Sequence, residues 1–392
     1  MTEVTSALID SWATDERGPV ALHMKQRLLP VEGEGGVIFP PTYADIGYNL
    51  DTLSDGTSVV TIDSVGSQAN RMEPLFKAEP YRALVPQIEI EFQDRGKDKD
   101  KHTEVRSLLD LAHRSADAAV YATPKLNLML ASAYTALHRG NAAPLACIAP
   151  TSLIFGVWDS RGGTGEKRPR LVRSIIRAWD VDTVSAAAQF NSVSKYLDDA
   201  QLAELQKEAK AKKVKLSAKG FADAPSTFRK VSTTASKYMQ EYRDGSPNPE
   251  RRVLGGVRVN GKIERDVTIN LVALRSIHGS NAEETEALRR YLLALALIVA
   301  NHDVDNFLRE GCNLRLPDAK DSWFVIPRRG EPTPVGFSAG CAEGQLLDYA
   351  KAAVMPFKAG WPEQLTYKFD LKEAIKLVAK KEETNDPESD GS

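Results

Sequence analysis

The chain has 392 residues, of which 42% are hydrophobic and 27% are charged. This composition excludes global disorder, and the length allows either two domains or one core with large insertions. The most apolar stretch, from Tyr291 to Ala300, has ten residues, whereas a membrane span needs about 20. We therefore expect a buried helix there and a soluble, cytoplasmic protein.

The formal net charge of −2 conceals blocks of one sign. Residues 161–177 hold six basic residues and one acidic residue, a local charge of +5. Residues 207–243 hold ten basic and three acidic residues, a local charge of +7, and the tail from Glu382 onward carries only acidic charges. Such separated blocks are typical of a protein that binds a polyanion and stays soluble.

In chain order, the first predicted strand is Thr57 to Val65, which is rich in β-branched residues. The residues after it predict a turn into a short helix, and Gln87 to Phe92 alternates with the period of a strand. Val105 to His138 contains two helical patterns that are broken near Pro124. The run from Ser152 to Trp158 is apolar on both faces and predicts a central strand.

Pro169 is predicted at the first position of a short helix that carries Leu171 and Ile176. Asp198 to Lys219 predicts a basic amphipathic helix, and residues 220–252 have the low hydrophobicity of a mobile insertion.

Asn260-Gly261 predicts a type I′ β-hairpin. Glu283 to Ala300 predicts a helix with Ser280 or Asn281 as its N-cap, and Trp323 to Ile326 predicts a strand, followed by two helices. Because strands and helices mix without regular alternation, the sequence favours an α+β core with insertions.

The segment from Trp158 to Arg177 is the strongest candidate for a binding site. Gly162, Gly163 and Gly165 allow the backbone to approach a ligand and to present N–H groups to a phosphate. Arginines then recur at spacings of three and four, which on a helix places guanidiniums in one row facing successive phosphates; a strand is the alternative geometry. Surface arginines on a solvated helix need no function, but six basic residues around three glycines favour phosphate binding.

The phosphates are interpreted as those of a polymer rather than of a nucleotide. Lys167 is followed by Arg168, where a P-loop requires Ser or Thr, and no GxGxxG motif opens a helix after a strand. A second group of side chains could bond phosphate, 2′-hydroxyl or base edges, although its serine could equally cap a helix. This group is Ser67, Gln68, Asn70 and Arg71.

Signatures of catalysis and of metal binding are weak. The chain has no HExxH motif and no GxSxG motif, and its three cysteines lack CxxC spacing, which indicates a reducing compartment without disulfides or a zinc ribbon. Asp45, Asp51 and Asp55 could include a hydrolytic carboxylate, but loop aspartates more often form turns. We therefore predict no catalytic residue, no metal and no cofactor.

Three segments occur in an order that resembles a known family. They are SVGSQANRMEPLF at residues 64–76, GVWDSRGGTGEKRPRLVRSIIRAWDV at 156–181 and IHGSNAEETEALRRYLLALALIVA at 277–300. Together they resemble the CRISPR-associated backbone subunits of the subtype I-U (I-G) Cascade complex, in the RAMP superfamily.

This resemblance implies an RRM-like (ferredoxin-like) palm with large inserted finger and thumb elements. It suggests one RAMP-like domain over residues 1–380, with a helical insertion at about 94–150 and a basic insertion at about 198–252, and a disordered acidic tail at 381–392. Either the hairpin at Asn260-Gly261 or the basic insertion could form thumb or finger. RNP aromatic motifs are not apparent, which favours gripping of the RNA backbone over base stacking on the sheet.

The resemblance also implies a non-catalytic subunit that stacks head-to-tail in several copies along the CRISPR guide RNA, together with other Cascade subunits, and presents the guide for pairing with target DNA. The alternative is a RAMP-type endoribonuclease that processes the guide or cleaves a target RNA. The family's phosphate contacts are carried over to Arg161, Gly162, Gly163, Lys167, Arg168, Arg170, Arg173 and Arg177, and further RNA contacts to Ser67, Gln68, Asn70 and Arg71.

Overall fold

A computed structural model describes most of the chain. The described ranges are 2–43, 46–93, 103–160, 164–185, 196–214, 216–219, 221, 254–303, 305–318, 321–337 and 343–379. The predicted contacts Arg161, Gly162 and Gly163, the aspartate Asp45, parts of both predicted insertions and the acidic tail lie outside these residues.

The structure is an α+β fold, as predicted. Its α-helices are Ser6–Thr14, Val65–Met72, Ala118–Tyr121, Pro124–His138, Ala143–Ile148, Pro150–Phe155, Asp199–Ala211, Leu271–Arg275, Ala282–Asn301, Gln345–Lys358 and Leu371–Ala379. Short 3₁₀ helices span Glu73–Lys77, Tyr81–Leu84, Leu108–Asp110, Arg114–Ala116 and Leu216–Lys219.

The strands are numbered in chain order. They are β1 (Thr2–Glu3), β2 (Ala21–Pro30), β3 (Val37–Ile38), β4 (Thr42–Tyr43), β5 (Gly47–Tyr48), β6 (Leu50–Thr52), β7 (Ser58–Asp63), β8 (Glu89–Gln93), β9 (Thr103–Ser107), β10 (Val157–Trp158), β11 (Lys167–Arg168), β12 (Val172–Trp179), β13 (Val181–Ser185), β14 (Leu254–Val259), β15 (Ile263–Asn270), β16 (Asn306–Arg309), β17 (Cys312–Arg315), β18 (Ser322–Ile326), β19 (Thr333–Gly336) and β20 (Thr366–Lys368).

The main sheet has the strand order β1-β19-β18-β2-β15-β12-β7-β6. From β19 to β6 all neighbours are antiparallel, and only β1 pairs in parallel, with β19. The longest pairings join β2 to β15 and β15 to β12, and they place these three strands at the centre of the sheet.

The two faces of this sheet differ in burial. On β15, Ile263, Arg265, Val267 and Ile269 are buried, and the residues between them are half-buried. The buried face packs against helices, with Val65–Met72 contacting β12 and Ala282–Asn301 contacting β15. The opposite face, which we call the open face, carries the exposed and half-buried side chains of β2 and β15.

The long helix forms the centre of the core. It spans Ala282–Asn301 with Asn281 as its N-cap, and every residue from Tyr291 to Ala300 is 0% exposed. The prediction of a buried helix here is confirmed. Ten consecutive apolar residues cover every side of a helix, so the helix must be surrounded by other parts of the core. No helix of the described ranges is long and apolar enough to cross a membrane.

Predictions for several further elements are confirmed. The strands β7, β8 and β18 and the two final helices lie where the sequence placed them. The second helical pattern after residue 105 is the helix Pro124–His138, whereas the first contains β9 and short 3₁₀ helices.

Two predictions around the glycine loop are wrong. Ser152 to Trp158 is not a central strand: Pro150–Phe155 is a helix that starts on its proline and ends at Gly156, which has a φ of +82°. Residues 171–176 do not form a helix, since Val172–Trp179 is the strand β12, paired on both of its edges. A short apolar run fits the period of a helix as well as that of a strand. For residues 172–179, pairing with β15 and β7 decides for the strand.

The predicted hairpin at Asn260-Gly261 is also wrong. The strands before and after it, β14 and β15, do not pair with each other; β14 pairs with β13 and β15 pairs with β12. Asn260-Gly261 instead lies beside Asp180, where Asn260 N donates to Asp180 O at 2.8 Å. The paired strands β12 and β15 thus continue, through a bend at Asp180 and Asn260-Gly261, into the paired strands β13 and β14. We call the β13–β14 pair, which leaves the main sheet, the ribbon. Residues 186–253, which include most of the predicted basic insertion, connect the far ends of β13 and β14.

Replacing Gly261 with alanine should destabilise the fold. A Cβ at this position would lie 2.6 Å from the backbone oxygen of Trp179, so the ribbon must shift at its bend. We expect a loss on the order of 2 kcal/mol in the free energy of unfolding, measured by chemical denaturation. Gly66→Ala is the matched control, because a Cβ there meets nothing within 4 Å, and its helical position should gain up to about 1 kcal/mol. Equal stability of the two variants would contradict this account of the bend.

Candidate nucleic-acid interface

Strand β12 presents two of the predicted arginines on the open face. Side chains alternate along the strand, so that Arg173, Ile175, Arg177 and Trp179 lie on one face, and Val172, Ser174, Ile176 and Ala178 are buried on the other. Ile175, between the two arginines, is itself buried. The arginine row is therefore built by a strand and not by a helix. A spacing of four residues corresponds to about 13 Å along a strand, so the two guanidiniums would meet different phosphates.

Neither guanidinium is paired with a carboxylate of the described residues. Arg177 lies opposite Glu264 in the sheet register, but Glu264 pairs with Lys25 at 3.7 Å and with Lys262 at 3.0 Å. Within the described ranges, Arg173 and Arg177 form no ion pair at the 4.0 Å limit. The β12 side of the open face thus retains uncompensated positive charge.

Two carboxylates near the open face already have partners on β2. His23 Nε2 lies 3.3 Å from Asp266 Oδ1, and Arg27 lies 2.9 Å from Glu34. An anion approaching β12 therefore meets cations whose nearest competing carboxylates are occupied.

The other predicted cations lie on the hairpin that precedes β12. Arg168 is half-buried, lies 2.9 Å from Glu166 and donates to the carbonyl oxygen of Leu137 at 3.3 Å, so it holds the hairpin in place. Arg170 is exposed, and partial burial together with the charge of Arg114 lowers its pKa. Lys167 is exposed and lies over the ring of an aromatic residue, at 5.5 Å from the centroid.

That aromatic residue, Trp158, was absent from the predicted contacts. It is 60% exposed and pairs directly with Lys167 across β10 and β11. The signal in the sequence was a tryptophan beside a glycine loop with lysine and arginine around it. A second pair of this type, Lys262 over Trp179 at 4.9 Å, lies where the ribbon leaves the sheet.

The hairpin is anchored by a buried carboxylate. Asp159 is 2% exposed, accepts a hydrogen bond from the hydroxyl of Tyr121, and accepts another from Thr164 Oγ1 at 2.9 Å. Its backbone N–H donates to Glu166 O at 2.8 Å. The base of the glycine loop is therefore fixed on both of its strands.

The second predicted group divides into two pairs. On the helix Val65–Met72, Ser67 is half-buried and Asn70 is exposed, so both are accessible to a ligand. Gln68 and Arg71 instead bond to the 0% exposed Asp63, at 2.7 and 3.1 Å. The role of Gln68 and Arg71 as RNA contacts stays a prediction. Their side chains already have hydrogen-bond partners inside the protein.

Gln68 also links the helix to the sheet. Its Oε1 accepts hydrogen bonds from Ser174 Oγ at 2.7 Å and from Arg265 Nε at 3.1 Å on the buried face. Since Arg173 and Arg177 stand on the open face, the sheet separates them from Gln68 of the second predicted group.

Metal binding finds no support in the geometry. Across the part of the chain that the structure describes, no group of three or more His, Cys, Asp or Glu residues could hold a metal ion. His302 lies edge-on to Tyr81, and burial lowers its pKa, which fits a packed histidine.

Comparison with known families gives one match. Residues 22–183 match the family described as CRISPR-associated protein GSU0053, which is a family of the I-U Cascade subtype. The matched range includes two of the three motifs, and the third, at residues 277–300, lies beyond it. The predicted resemblance to a CRISPR-associated family of the I-U subtype is thereby confirmed. No curated protein matches the chain.

Gln68→Ala should reduce stability, whereas Asn70→Ala should not. Removing the Gln68 amide leaves the buried Asp63 and Arg265 each without one partner, which we expect to cost about 3 kcal/mol of the free energy of unfolding. Asn70 is exposed on the same helix and serves as the control. Denaturant titration of both variants measures the difference. Equal stabilities would show that the buried network tolerates the loss.

Proposed function

We propose, from the premise that this chain is a CRISPR-associated protein, that it grips the phosphates of a single-stranded CRISPR guide RNA as a non-catalytic backbone subunit of I-U Cascade. The observation that carries the proposal is the pair Arg173 and Arg177, which lies on the open face of β12 and forms no ion pair with the residues that the structure describes. Arg170 and Lys167 extend this positive surface along the preceding hairpin.

A guide-binding subunit must accept any spacer sequence. It should therefore contact phosphate and 2′-hydroxyl groups, which all nucleotides share, and leave base edges free to pair with target DNA. Guanidiniums suit this task because they form paired hydrogen bonds with phosphate oxygens.

The strand order supports an RRM-like palm. The chain order β2, helix Val65–Met72, β12, β15, helix Ala282–Asn301 and β18 follows the β-α-β-β-α-β pattern of a ferredoxin-like unit. In the sheet these strands lie in the order β18-β2-β15-β12 and are antiparallel throughout. The β13–β14 ribbon, with residues 186–253 connecting its ends, is then the candidate for the thumb or finger.

The proposed partners are further copies of the chain, placed head-to-tail along the guide, and other Cascade subunits. Co-expression with a guide RNA tests this assignment. We expect the purified protein to carry RNA, seen as raised absorbance at 260 nm, in large assemblies that ribonuclease dissolves. A protein that stays monomeric and free of RNA under these conditions would overturn the proposal.

The alternative, a RAMP-type endoribonuclease, requires a reactive carboxylate. Asp55 Oδ1 accepts a hydrogen bond from the backbone N–H of Thr57 at 2.9 Å, as in an Asx turn, and Asp51 is exposed on the edge strand β6. Incubating the protein with labelled guide and complementary RNA distinguishes the alternatives. Cleavage that disappears in Asp45→Asn, Asp51→Asn or Asp55→Asn would establish the nuclease instead.

Arg173→Ala and Arg177→Ala should each weaken RNA binding by about 1 kcal/mol, equally for unrelated sequences. Each lost phosphate contact should also reduce the salt dependence of log Kd by about one counterion. Fluorescence anisotropy at several salt concentrations measures both quantities.

Arg329→Ala is the matched control, since Arg329 is exposed and lies beyond β18, three strands away from β12. An effect confined to one RNA sequence would indicate base readout and contradict a phosphate grip.

A further inference from the structure

Trp158 is placed differently from the core tryptophans of the chain. Trp12 and Trp323 are 2% exposed, whereas Trp158 is 60% exposed. An indole ring in water leaves a large apolar surface uncovered. Its neighbour along the strand, Val157, is 7% exposed, so the alternation of β10 directs the tryptophan outward while the valine anchors the strand.

The backbone that carries this ring is fixed. Val157 and Trp158 pair with Arg168 and Lys167, and the next residue is the buried Asp159 that anchors the glycine loop. On the other side, Gly156 has a φ of +82°, and a Cβ there would lie 2.9 Å from Arg170 Cγ. A rigid mount lowers the entropic cost of placing the ring against a ligand.

The charges around the ring favour an anion. Lys167 Nζ lies 5.5 Å from the ring centroid. The nearby carboxylate of Glu166 is shared between Arg168 at 2.9 Å and His138 at 3.1 Å. An aromatic face with an adjacent cation is the arrangement with which proteins bind single-stranded nucleic acid, because the base stacks and its phosphate pairs with the cation.

We propose that Trp158 is a stacking platform for one nucleobase of single-stranded RNA, and that Lys167 contacts the phosphate beside that base. Lys167 covers one face of the indole, so the base is expected on the opposite face. This inference rests on the proposed function and adds a base contact to it. The contact is compatible with guides of any sequence, since every base has a π face.

The test compares wild type, Trp158→Ala and Trp158→Phe on a labelled single-stranded RNA of mixed sequence. We expect Trp158→Ala to raise Kd about 5- to 100-fold, with an unchanged salt dependence because no cation is lost. Trp158→Phe should recover most of the affinity. Leu128→Ala, which removes a 75% exposed apolar side chain from the helix Pro124–His138, is the matched control and should bind like wild type.

An abasic RNA of the same length separates stacking from other roles. Wild type and Trp158→Ala should bind it equally, since no base is present. If Trp158→Ala weakens binding to both RNAs by the same factor, the tryptophan acts on the backbone or on the fold, and the stacking inference is wrong.

Two further outcomes are decisive. Unchanged affinity in Trp158→Ala, beside a clear loss in Arg173→Ala, would overturn the stacking platform and leave the proposed function standing; a simultaneous shift of the RNA-free protein to a smaller species would identify Trp158 as a protein contact instead. Wild-type protein that binds neither RNA would overturn the proposed function itself.

Discussion

The pairing of β12 on both of its edges is the constraint on which the proposed binding surface depends. β15 on one side and β7 on the other fix the backbone of β12 through its hydrogen bonds, and alternation then determines the face of every side chain. Ser174 must face the helix Val65–Met72 and Ile176 must face the apolar cluster on the same side of the sheet, so Arg173 and Arg177 must face the other way. A shift of one residue would bury both guanidiniums and expose the apolar residues, so the hydrophobic core itself maintains the position of the cations.

The buried face explains why this register is held firmly. Arg265 on β15 is fully buried and donates to Gln26 Oε1 at 2.7 Å, as well as to Gln68 and Ser174, and burial lowers its pKa to about 10. These partners come from two neighbouring strands and one helix. A slip of any of them would take one hydrogen bond away from a buried charge, which costs more than the loss of a single apolar contact.

The sequence predicted the elements whose signals are local. The helix Ala282–Asn301 has a capping asparagine, acidic residues in its first turn and a continuous apolar segment, and all three act within the helix itself. β12 could not be assigned in this way, because Val172, Ile175 and Ile176 fit one face of a helix as well as a strand, and the decision lies in partners about 90 to 115 residues away in the chain. Asn260-Gly261 was misread for a related reason: the dipeptide permits a reversal, but β14 found its partner in β13.

For the candidate site, too, the sequence showed the local signals but not the contacts between distant residues. Charge excess and glycine content were visible in the sequence and led to the segment that carries Arg173 and Arg177, whereas the availability of each cation depends on its neighbours in space. Arg168 and Arg71 carry the same charge as Arg173 but are occupied by Glu166 and Asp63.

This pairing of charges also reconciles a net charge of −2 with a surface for polyanions. Glu264 and Asp266 are held by lysines and a histidine of the sheet, and Glu166 by an arginine and a histidine. These carboxylates near the interface are thus engaged by neighbouring side chains, whereas Arg173 and Arg177 form no ion pair among the described residues. Overall charge would allow such a protein to stay soluble without RNA, while the local field at β12 still attracts a phosphate chain.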